Sequence, residues 1–365
     1  MIYLLLLLAL FAAWFLGFGS LCGWLARQKG RSAFNWFLLG ALFGIVALLV
    51  LGFSPSVDRS SAQPNALQRW VARQFTTRVI VLMPVAIAIN IVLGYTVQSG
   101  LKLPIYMDSI GTILVGVLGG PLPAICTGVL TNLIWQYAPG IGSGSQIGPF
   151  AITAGVIGLL AGVSGQLGLF RPRRGHALNM LAAVVAVVLI GTLALYTYAR
   201  AFSSQDQFVS ATFKDASAFD QSRIFFLTVM VVFVGLVAWA LVLRRDIGAV
   251  FAISAGLFTG IVAAVVSAPI YAFFYGGLTG SGTDAIAAAF RAGGDSLYQS
   301  TLKQGLLSDP IDKMITSFVV FFLVGSLSRR FVARFPNGER LLGREAQDEP
   351  TEPSAPANEP AGEAG

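Results

Sequence analysis

The sequence predicts an all-α fold, a polytopic bundle of transmembrane helices. Hydrophobic residues make up 55% of the chain and charged residues only 11%, and the mean hydropathy is +0.75. Soluble globular proteins carry about 25% charged residues. We find about nine or ten apolar stretches of the 17–25 residues that cross a bilayer as a helix. A membrane β-barrel would show two-residue alternation in shorter pieces, and the sequence lacks that pattern.

The distribution of charge indicates membrane orientation, and nucleic-acid binding is not expected. The formal net charge is +7, but the arginines cluster at the ends of apolar stretches, as they do in cytoplasmic loops. If Arg78 is cytoplasmic, successive crossings place every basic cluster of the main body on the same side. These clusters are Arg171–Arg174, Arg244–Arg245 and Arg329–Arg334.

Residues 1–53 are predicted to form an N-terminal transmembrane hairpin. Its two helices are Ile2–Trp24 and Ala33–Phe53. The second contains Gly40-x-x-x-Gly44, a spacing typical of close helix contact in membranes. The topology above leaves the basic turn between these helices outside, against the charge rule, so the orientation of the hairpin stays open.

Residues 54–78 are predicted to be a polar linker with an amphipathic pattern. Leu67, Trp70, Val71 and Phe75 would share one face of a helix. That spacing suits a helix lying in the membrane interface. A plain solvated linker explains it equally well.

The main membrane domain is predicted to span 79–336. Its two outer loops are Arg200–Arg223 and Leu278–Asp309. The second contains Ala285–Phe290, which is too short to cross a bilayer and suits a re-entrant or surface helix capping a cavity. The predicted crossing helices are Val79–Val97, Ile105–Leu118, Pro121–Tyr137, Ala151–Phe170, Ala177–Tyr198, Ile224–Leu243, Val250–Tyr275 and Ile311–Leu327.

The C-terminal segment 337–365 is predicted to be a disordered, acidic and Pro-rich tail. From Gln347 onward it consists largely of Pro, Glu and Ala. Such a composition has too little apolar surface to offset the entropy of folding.

Asp108 is the first candidate ligand-binding residue. It stands at the start of an apolar segment, where an ionisable group is costly to bury and marks a substrate or ion path by default. Asp is also a strong N-cap residue. Capping of the helix that begins near Ser109 is therefore an equally good explanation, and both roles can coexist.

Further candidates lie at the end of the following segment. Asn132 would either bond a ligand or join two helices, which is the commoner role of amides in membranes. Trp135 and Gln136 lie one turn further along, where aromatic residues also form interfacial belts.

The second half of the chain supplies three more candidates. Tyr271 and Tyr275 precede a glycine-rich break, and Asp284 follows it in the outer loop. Interrupted segments in the two halves of a transporter point to a binding site near the midplane. These residues are therefore predicted to border the same pocket as Asp108. For Tyr275 an orientation towards lipid is an equally good explanation.

Two other features of the second half receive structural interpretations. The glycine-rich run Gly276–Thr283 is predicted to be a movable outer lid, because glycines permit sharp bends and rearrangement. Asp309, Asp312 and Lys313 are assigned to the start of the last helix, where carboxylates interact favourably with the helix dipole.

The chain is not expected to be an enzyme. Its single histidine, His176, excludes a His-Glu-x-x-His zinc site, and the sequence contains neither Gly-x-Ser-x-Gly nor a nucleotide-binding loop. Cys22 and Cys126 both fall in apolar stretches, which favours two small buried side chains over a disulfide or metal pair. We predict no catalytic residue, no cofactor and no metal.

Two stretches resemble the membrane-embedded substrate-binding subunits, or S components, of energy-coupling factor (ECF) transporters. The first is Leu103–Tyr137, with Asp-Ser-Ile-Gly-Thr at 108–112 and Thr-Asn-Leu-Ile at 131–134, and the second is Ser267–Asp312. The resemblance implies an S-component-like core with an extra N-terminal hairpin. It also implies a multi-pass protein of the bacterial cytoplasmic (inner) membrane that captures a vitamin-sized nutrient.

The same resemblance implies partners on separate chains, a transmembrane coupling protein and two cytoplasmic ATPases. The nearest small-residue patterns for docking are Gly158-x-x-x-Gly162 and Gly256-x-x-x-Gly260. We therefore expect the substrate-binding subunit of a nutrient uptake transporter. The alternative is a ligand-sensing or scaffolding membrane protein without transport activity.

Overall fold

The computed structural model describes residues 17–54, 56, 66–137, 147–173, 177–202, 216–244 and 246–343. Within this part of the chain 81% of the residues are helical and none forms a strand, which confirms the all-α class. Four of its helical stretches are long and apolar enough to cross a membrane. They are Thr77–Gly100, Gly148–Gln166, Phe219–Leu241 and Gly248–Tyr275.

The helices are labelled in chain order. The first, α1, covers residues 17–28 of the described chain. The others are α2 Ala33–Phe43, α3 Ile45–Phe53, α4 Ala66–Gln74, α5 Thr77–Gly94, α6 Ile110–Gly119, α7 Pro121–Tyr137, α8 Ala151–Gln166, α9 Ala177–Phe202, α10 Ala216–Val242, α11 Gly248–Tyr275, α12 Asp284–Ala292, α13 Leu297–Ser326, α14 Arg329–Val332 and α15 Gly338–Leu342.

The first of two compact units comprises residues 1–69. In it α1 packs against α2, and a Cβ atom at Gly40 would overlap Cys22, so Gly40 makes the close helix contact predicted for it. The predicted single helix Ala33–Phe53 is wrong. Gly44 adopts a φ of 51° and separates α2 from α3, a conformation that glycine reaches without steric cost.

The second unit, residues 70–365, contains the candidate site. Its helices α11 and α13 pack together along most of their length, with Gly256 against the carbonyl of Lys313 and Gly260 against Pro310. Helices α6, α7 and α8 form another closely packed group beside α5. Small residues at these contacts let the helix backbones approach closely.

Asn90 joins three helices of that group. The side chain is buried, and its Nδ2 donates to Thr112 Oγ1 at 2.8 Å and to Thr131 Oγ1 at 3.1 Å. Its Oδ1 accepts the Gly111 N–H at 2.7 Å. The amide therefore ties α5 to both α6 and α7.

Replacing Asn90 with leucine is expected to lower the free energy of unfolding by about 1–2 kcal/mol, because bonds between membrane helices are lost. Thermal unfolding of the purified protein in detergent measures this loss. Asn35→Leu is the control, since Asn35 is exposed. Equal losses in the two variants would contradict a role for Asn90 in joining the helices.

The segments that carry the predicted basic clusters of the second unit meet at one end of the bundle. Arg78 Nη1 donates to the carbonyl of Arg334 at 3.2 Å, and Arg340 Nη1 donates to a carbonyl at the end of α8 at 2.8 Å. The N–H of Arg173 donates to Asp246 just before α11, at 2.8 Å. These contacts bring together the chain segments that carry the basic clusters.

Besides the helix expected from Ile224, which begins at Ala216 within the predicted loop Arg200–Arg223, two predicted helix starts are wrong. The helix expected from Ile105 begins at Ile110, after the irregular loop 101–109. The helix expected from Ile311 begins at Leu297, where Ser296 forms a capping box. The first turns of α13 are polar because one side of this helix faces a polar interior. A prediction based on apolar content alone therefore places the start of α13 too late.

The tail assigned to 337–365 begins too early. Asn337 Nδ2 donates to the carbonyls of Gly116 at 3.3 Å and Val117 at 3.1 Å, and Leu341 in α15 is buried. The rest of the predicted tail, 344–365, lies outside the described residues. So does 203–215, the middle of the predicted loop between α9 and α10.

Candidate functional site

A charged cluster lies near the midpoint of α13. Lys313 is 2% exposed, and its Nζ donates to Asp312 Oδ2 at 2.5 Å and to Ser109 Oγ at 2.8 Å. The same Nζ lies 3.5 Å from Asp108 Oδ1. Buried charges are tolerated when they are paired and hydrogen-bonded. Lys313 and the fully buried Asp312 form such a pair.

Asp312 also shapes the loop 101–109 that leads into α6. Its Oδ1 accepts the N–H of Met107 at 2.6 Å and that of Tyr106 at 3.2 Å. Met107 has a φ of 57°, which is uncommon for a residue other than glycine. The carboxylate stabilises this conformation, and the loop thereby brings Asp108 into the bundle.

Asp108 points to the cavity described below and does not cap α6. The N-cap position is Ser109, and its side chain makes no capping bond. Asp108 Oδ2 accepts from Gln98 Nε2 at 3.1 Å, while its Oδ1 faces Lys313. Of the two roles that the sequence leaves open for Asp108, the arrangement favours the one at the cavity.

Asp309 is a site residue that the sequence analysis missed. Because α13 begins at Leu297, Asp309, Asp312 and Lys313 lie in its interior, and the proposed interaction with the N-terminal dipole is wrong. A signal was present, since three ionisable residues fall within five positions just before an apolar run. Ionisable residues inside membrane segments mark functional sites by default.

These groups border a cavity of about 390 Å³. That volume lies within the range of small-molecule sites, about 300–1,000 Å³. The cavity lies between α6, α7, α8, α11 and α13, and its wall contains several polar side chains. Residues with polar groups in this wall include Tyr106, Asp108, Asn132, Thr153, Asp309 and Lys313.

An aromatic pair forms another part of the wall. The rings of Phe150 and Tyr275 are stacked with centroids 5.1 Å apart and planes 2° apart, and both residues line the cavity. The Tyr275 hydroxyl makes no hydrogen bond within the described part of the chain. This part of the wall thus contains two stacked rings, one of which carries a hydroxyl group without a partner among the described residues.

The loop after α11 covers the cavity, and Asp284 holds this loop in place. The Asp284 carboxylate accepts the N–H of Thr279 at 3.0 Å, the N–H of Gly280 at 2.7 Å and the hydroxyl of Tyr271. Leu278 and Ser281 in the same loop line the cavity with Thr279 and Gly280. Asp284 and Tyr271 themselves lie behind the loop.

The two glycines at the centre of the predicted lid differ in their surroundings. Gly280 has a φ of 84° with no neighbouring atom in reach of an added Cβ, whereas a Cβ at Gly282 would overlap the carbonyl of Lys102. Gly282 is therefore a packing position against loop 101–109. Movement of the lid stays a prediction.

Three of the seven predicted site residues meet at the cavity, namely Asp108, Asn132 and Tyr275. The Asn132 amide makes no hydrogen bond to another described residue, and Asn90 performs the helix-joining role that Asn132 was considered for. The side chain of Asn132 is thus available to an occupant of the cavity.

The other four predicted residues do not line the cavity. Tyr271 and Asp284 lie behind the covering loop, as described above. Trp135 is 1% exposed and packs with Ile87 and Ile91. Gln136 Oε1 accepts the N–H of Gly148 and so connects α7 to the turn before α8. These residues support the wall from outside.

Both small-residue patterns considered for partner docking are buried. A Cβ at Gly158 or Gly162 would overlap the start of α7, and a Cβ at Gly256 or Gly260 would overlap α13. Because these glycines serve contacts within the bundle, neither pattern is open to a partner.

The fold and the site together define a class, an all-helical membrane protein with a polar cavity among its helices. Comparison of this chain with protein-family models, curated proteins and solved structures found no significant match.

Proposed function

We propose that this chain is the substrate-binding subunit of an energy-coupling factor type transporter for a vitamin-like nutrient. In this proposal an S-component-like core and an extra N-terminal transmembrane hairpin lie in the bacterial cytoplasmic membrane. The observation that carries it is the cavity of about 390 Å³ inside an apolar helical bundle, with charged and amide side chains in its wall. An enclosed pocket of this volume with convergent polar groups is typical of small-molecule binding.

The position of the covering loop supports uptake from outside. Helix α11 begins beside Arg171 and ends at Tyr275, where the loop 276–283 starts. The loop therefore lies at the end of α11 opposite the basic residues. Since basic clusters favour the cytoplasmic side, a ligand would enter from the external side.

The chain supplies a site but no energy source that we recognise in its sequence. We therefore propose that a transmembrane coupling protein and cytoplasmic ATPases on other chains drive release of the nutrient. Their docking surface would be formed by exposed side chains, because the glycine patterns are used internally.

Two measurements test this function. The protein is purified from its own cells in mild detergent, and small molecules released by denaturation are identified by mass spectrometry. Cellular uptake of the identified compound, labelled with ¹⁴C, is then compared with and without this chain. Uptake that depends on the chain supports transport. Binding without any effect on uptake would favour the ligand-sensing alternative, and the absence of a bound compound would contradict both.

Asp108→Asn is expected to weaken binding of the identified compound by about ten- to a hundredfold, the value of a charge-assisted hydrogen bond. Folding should be preserved, because the amide oxygen can still accept from Gln98. Calorimetric titration measures the affinity. Asp220→Asn is the control, since Asp220 pairs with Arg223 on the surface. Unchanged affinity for Asp108→Asn would remove this residue from the site.

A further inference from the structure

The carboxylates at the cavity and directly behind its wall outnumber the cations that could pair with them. Asp108, Asp309 and Asp312 lie around Lys313, which is the only Lys or Arg among the described residues that line the cavity. Three carboxylates and one ammonium group leave two formal negative charges. An excess of this kind is costly in a bundle interior unless another cation, or a proton taken up by one of the carboxyl groups, offsets it.

Lys313 and Asp312 form an ion pair in which the two opposite charges offset each other. Asp312 Oδ2 accepts from Lys313 Nζ at 2.5 Å, and its Oδ1 is occupied by the N–H groups of Met107 and Tyr106. Asp312 is fully buried behind the cavity wall. The pair is therefore structural. Lys313 Nζ also lies 3.5 Å from Asp108 Oδ1, so one cation is shared by Asp312 and Asp108, and Asp309 forms no ion pair with a described residue.

Asp309 has little bonding within the described part of the chain. It is 5% exposed, lines the cavity, and accepts one weak bond from Ser267 at 3.4 Å. A second polar group nearby has no bond at all: Thr153 Oγ1, in a residue 7% exposed that also lines the cavity, lacks a partner among the described residues. The Asp309 carboxylate at the cavity wall is therefore open to further bonds from an occupant of the cavity.

We propose that the occupant of this cavity carries a positively charged nitrogen group, an amine, amidine or cationic nitrogen ring, that binds Asp309 and Asp108. The inference rests on the proposed substrate-binding function and specifies its substrate class. The stacked rings of Phe150 and Tyr275 supply an aromatic face that also attracts cations. The same aromatic face suits an organic cation.

Three compounds of nearly equal shape test the charge requirement: benzamidinium, benzamide and benzoate. They carry one positive charge, no charge and one negative charge. Binding of each to the purified full-length protein is measured by calorimetric titration. Benzamidinium is expected to bind about ten- to a hundredfold more tightly than benzamide, because it forms charge-assisted bonds. Benzoate should bind most weakly.

Asp309→Asn should reduce the preference for benzamidinium over benzamide by about tenfold. Asp295→Asn is the matched control, because Asp295 pairs with Lys303 at the surface, and it should leave the preference unchanged. If Asp309→Asn does not fold, the order of the three affinities in the unaltered protein still tests the proposed substrate class.

Each outcome bears on the proposal. Tighter binding of benzamide or benzoate than of benzamidinium would overturn the cationic substrate class and leave the substrate-binding function standing. Equal binding of benzamidinium and benzamide would do the same. If none of the three binds, the compound released from the purified protein decides: one without a cationic nitrogen overturns the substrate class alone. If no compound is released either, both the substrate class and the proposed function fail.

Discussion

Replacing Lys313 with methionine is expected to lower the free energy of unfolding by about 3–5 kcal/mol, the loss measured when one partner of a buried ion pair is removed. The variant leaves the buried Asp312 carboxylate without its cation, and it removes the bond to Ser109 at 2.8 Å. Methionine has nearly the same length as lysine, so packing changes little. Thermal unfolding in detergent measures the loss.

The chain offers both a rescue and a control for this variant. Adding Asp312→Asn should restore about half of the lost stability, because it removes the unpaired charge and still lets the side-chain oxygen accept from Met107. Lys303→Met breaks an ion pair in which the lysine side chain is 49% exposed, and exposed pairs contribute only about 0–1 kcal/mol. Equal losses for Lys313→Met and Lys303→Met would refute the structural role of the buried pair.

Gly256→Ala is expected to destabilise the protein by about 1–3 kcal/mol, the usual cost of overpacking a core. A Cβ at this position would overlap the carbonyl of Lys313 and lie 2.8 Å from Ser317 Oγ. The neighbouring atoms are largely backbone, so relief requires α11 and α13 to separate. That separation should also displace Lys313 and weaken ligand binding.

Gly235→Ala is the matched control for this substitution. Gly235 lies in α10 with no atom within 4 Å of an added Cβ, and alanine is favoured over glycine in a helix by about 0.5–1 kcal/mol. The two Gly→Ala changes should therefore alter thermal stability in opposite directions. A loss at both positions, or at neither, would argue against close α11–α13 contact at Gly256.

The candidate site was partly predictable from local sequence. Asp108 and Asn132 stand out as polar groups in apolar segments, and both line the cavity. Asp309 and Lys313 were passed over because the helix start at Leu297 was misplaced. The capping box at Ser296 and Gln299 is a local signal that would have corrected this error.

Trp135, Gln136, Tyr271 and Asp284 show a different difficulty. Their residue types suit a ligand site, but in the structure they bond to the chain that supports the cavity. Residue type and spacing do not distinguish a side chain that faces a cavity from one that holds a loop behind it. The direction of the side chain depends on which helices are neighbours.

Composition and apolar runs were enough to predict the all-helical class and the presence of helices that could cross a membrane. Four such helices occur in the described part of the chain, against about nine or ten predicted crossings. These properties follow from composition and from apolar runs, which act locally along the chain. Only the tertiary structure decided which charges are paired. Lys313 bonds to Ser109, far away in the sequence, and Asp309 and Thr153 line one cavity from separate helices. Close packing at glycines determines which helices are neighbours and therefore which side chains can meet. The free energy of a buried charge depends on every group that surrounds it.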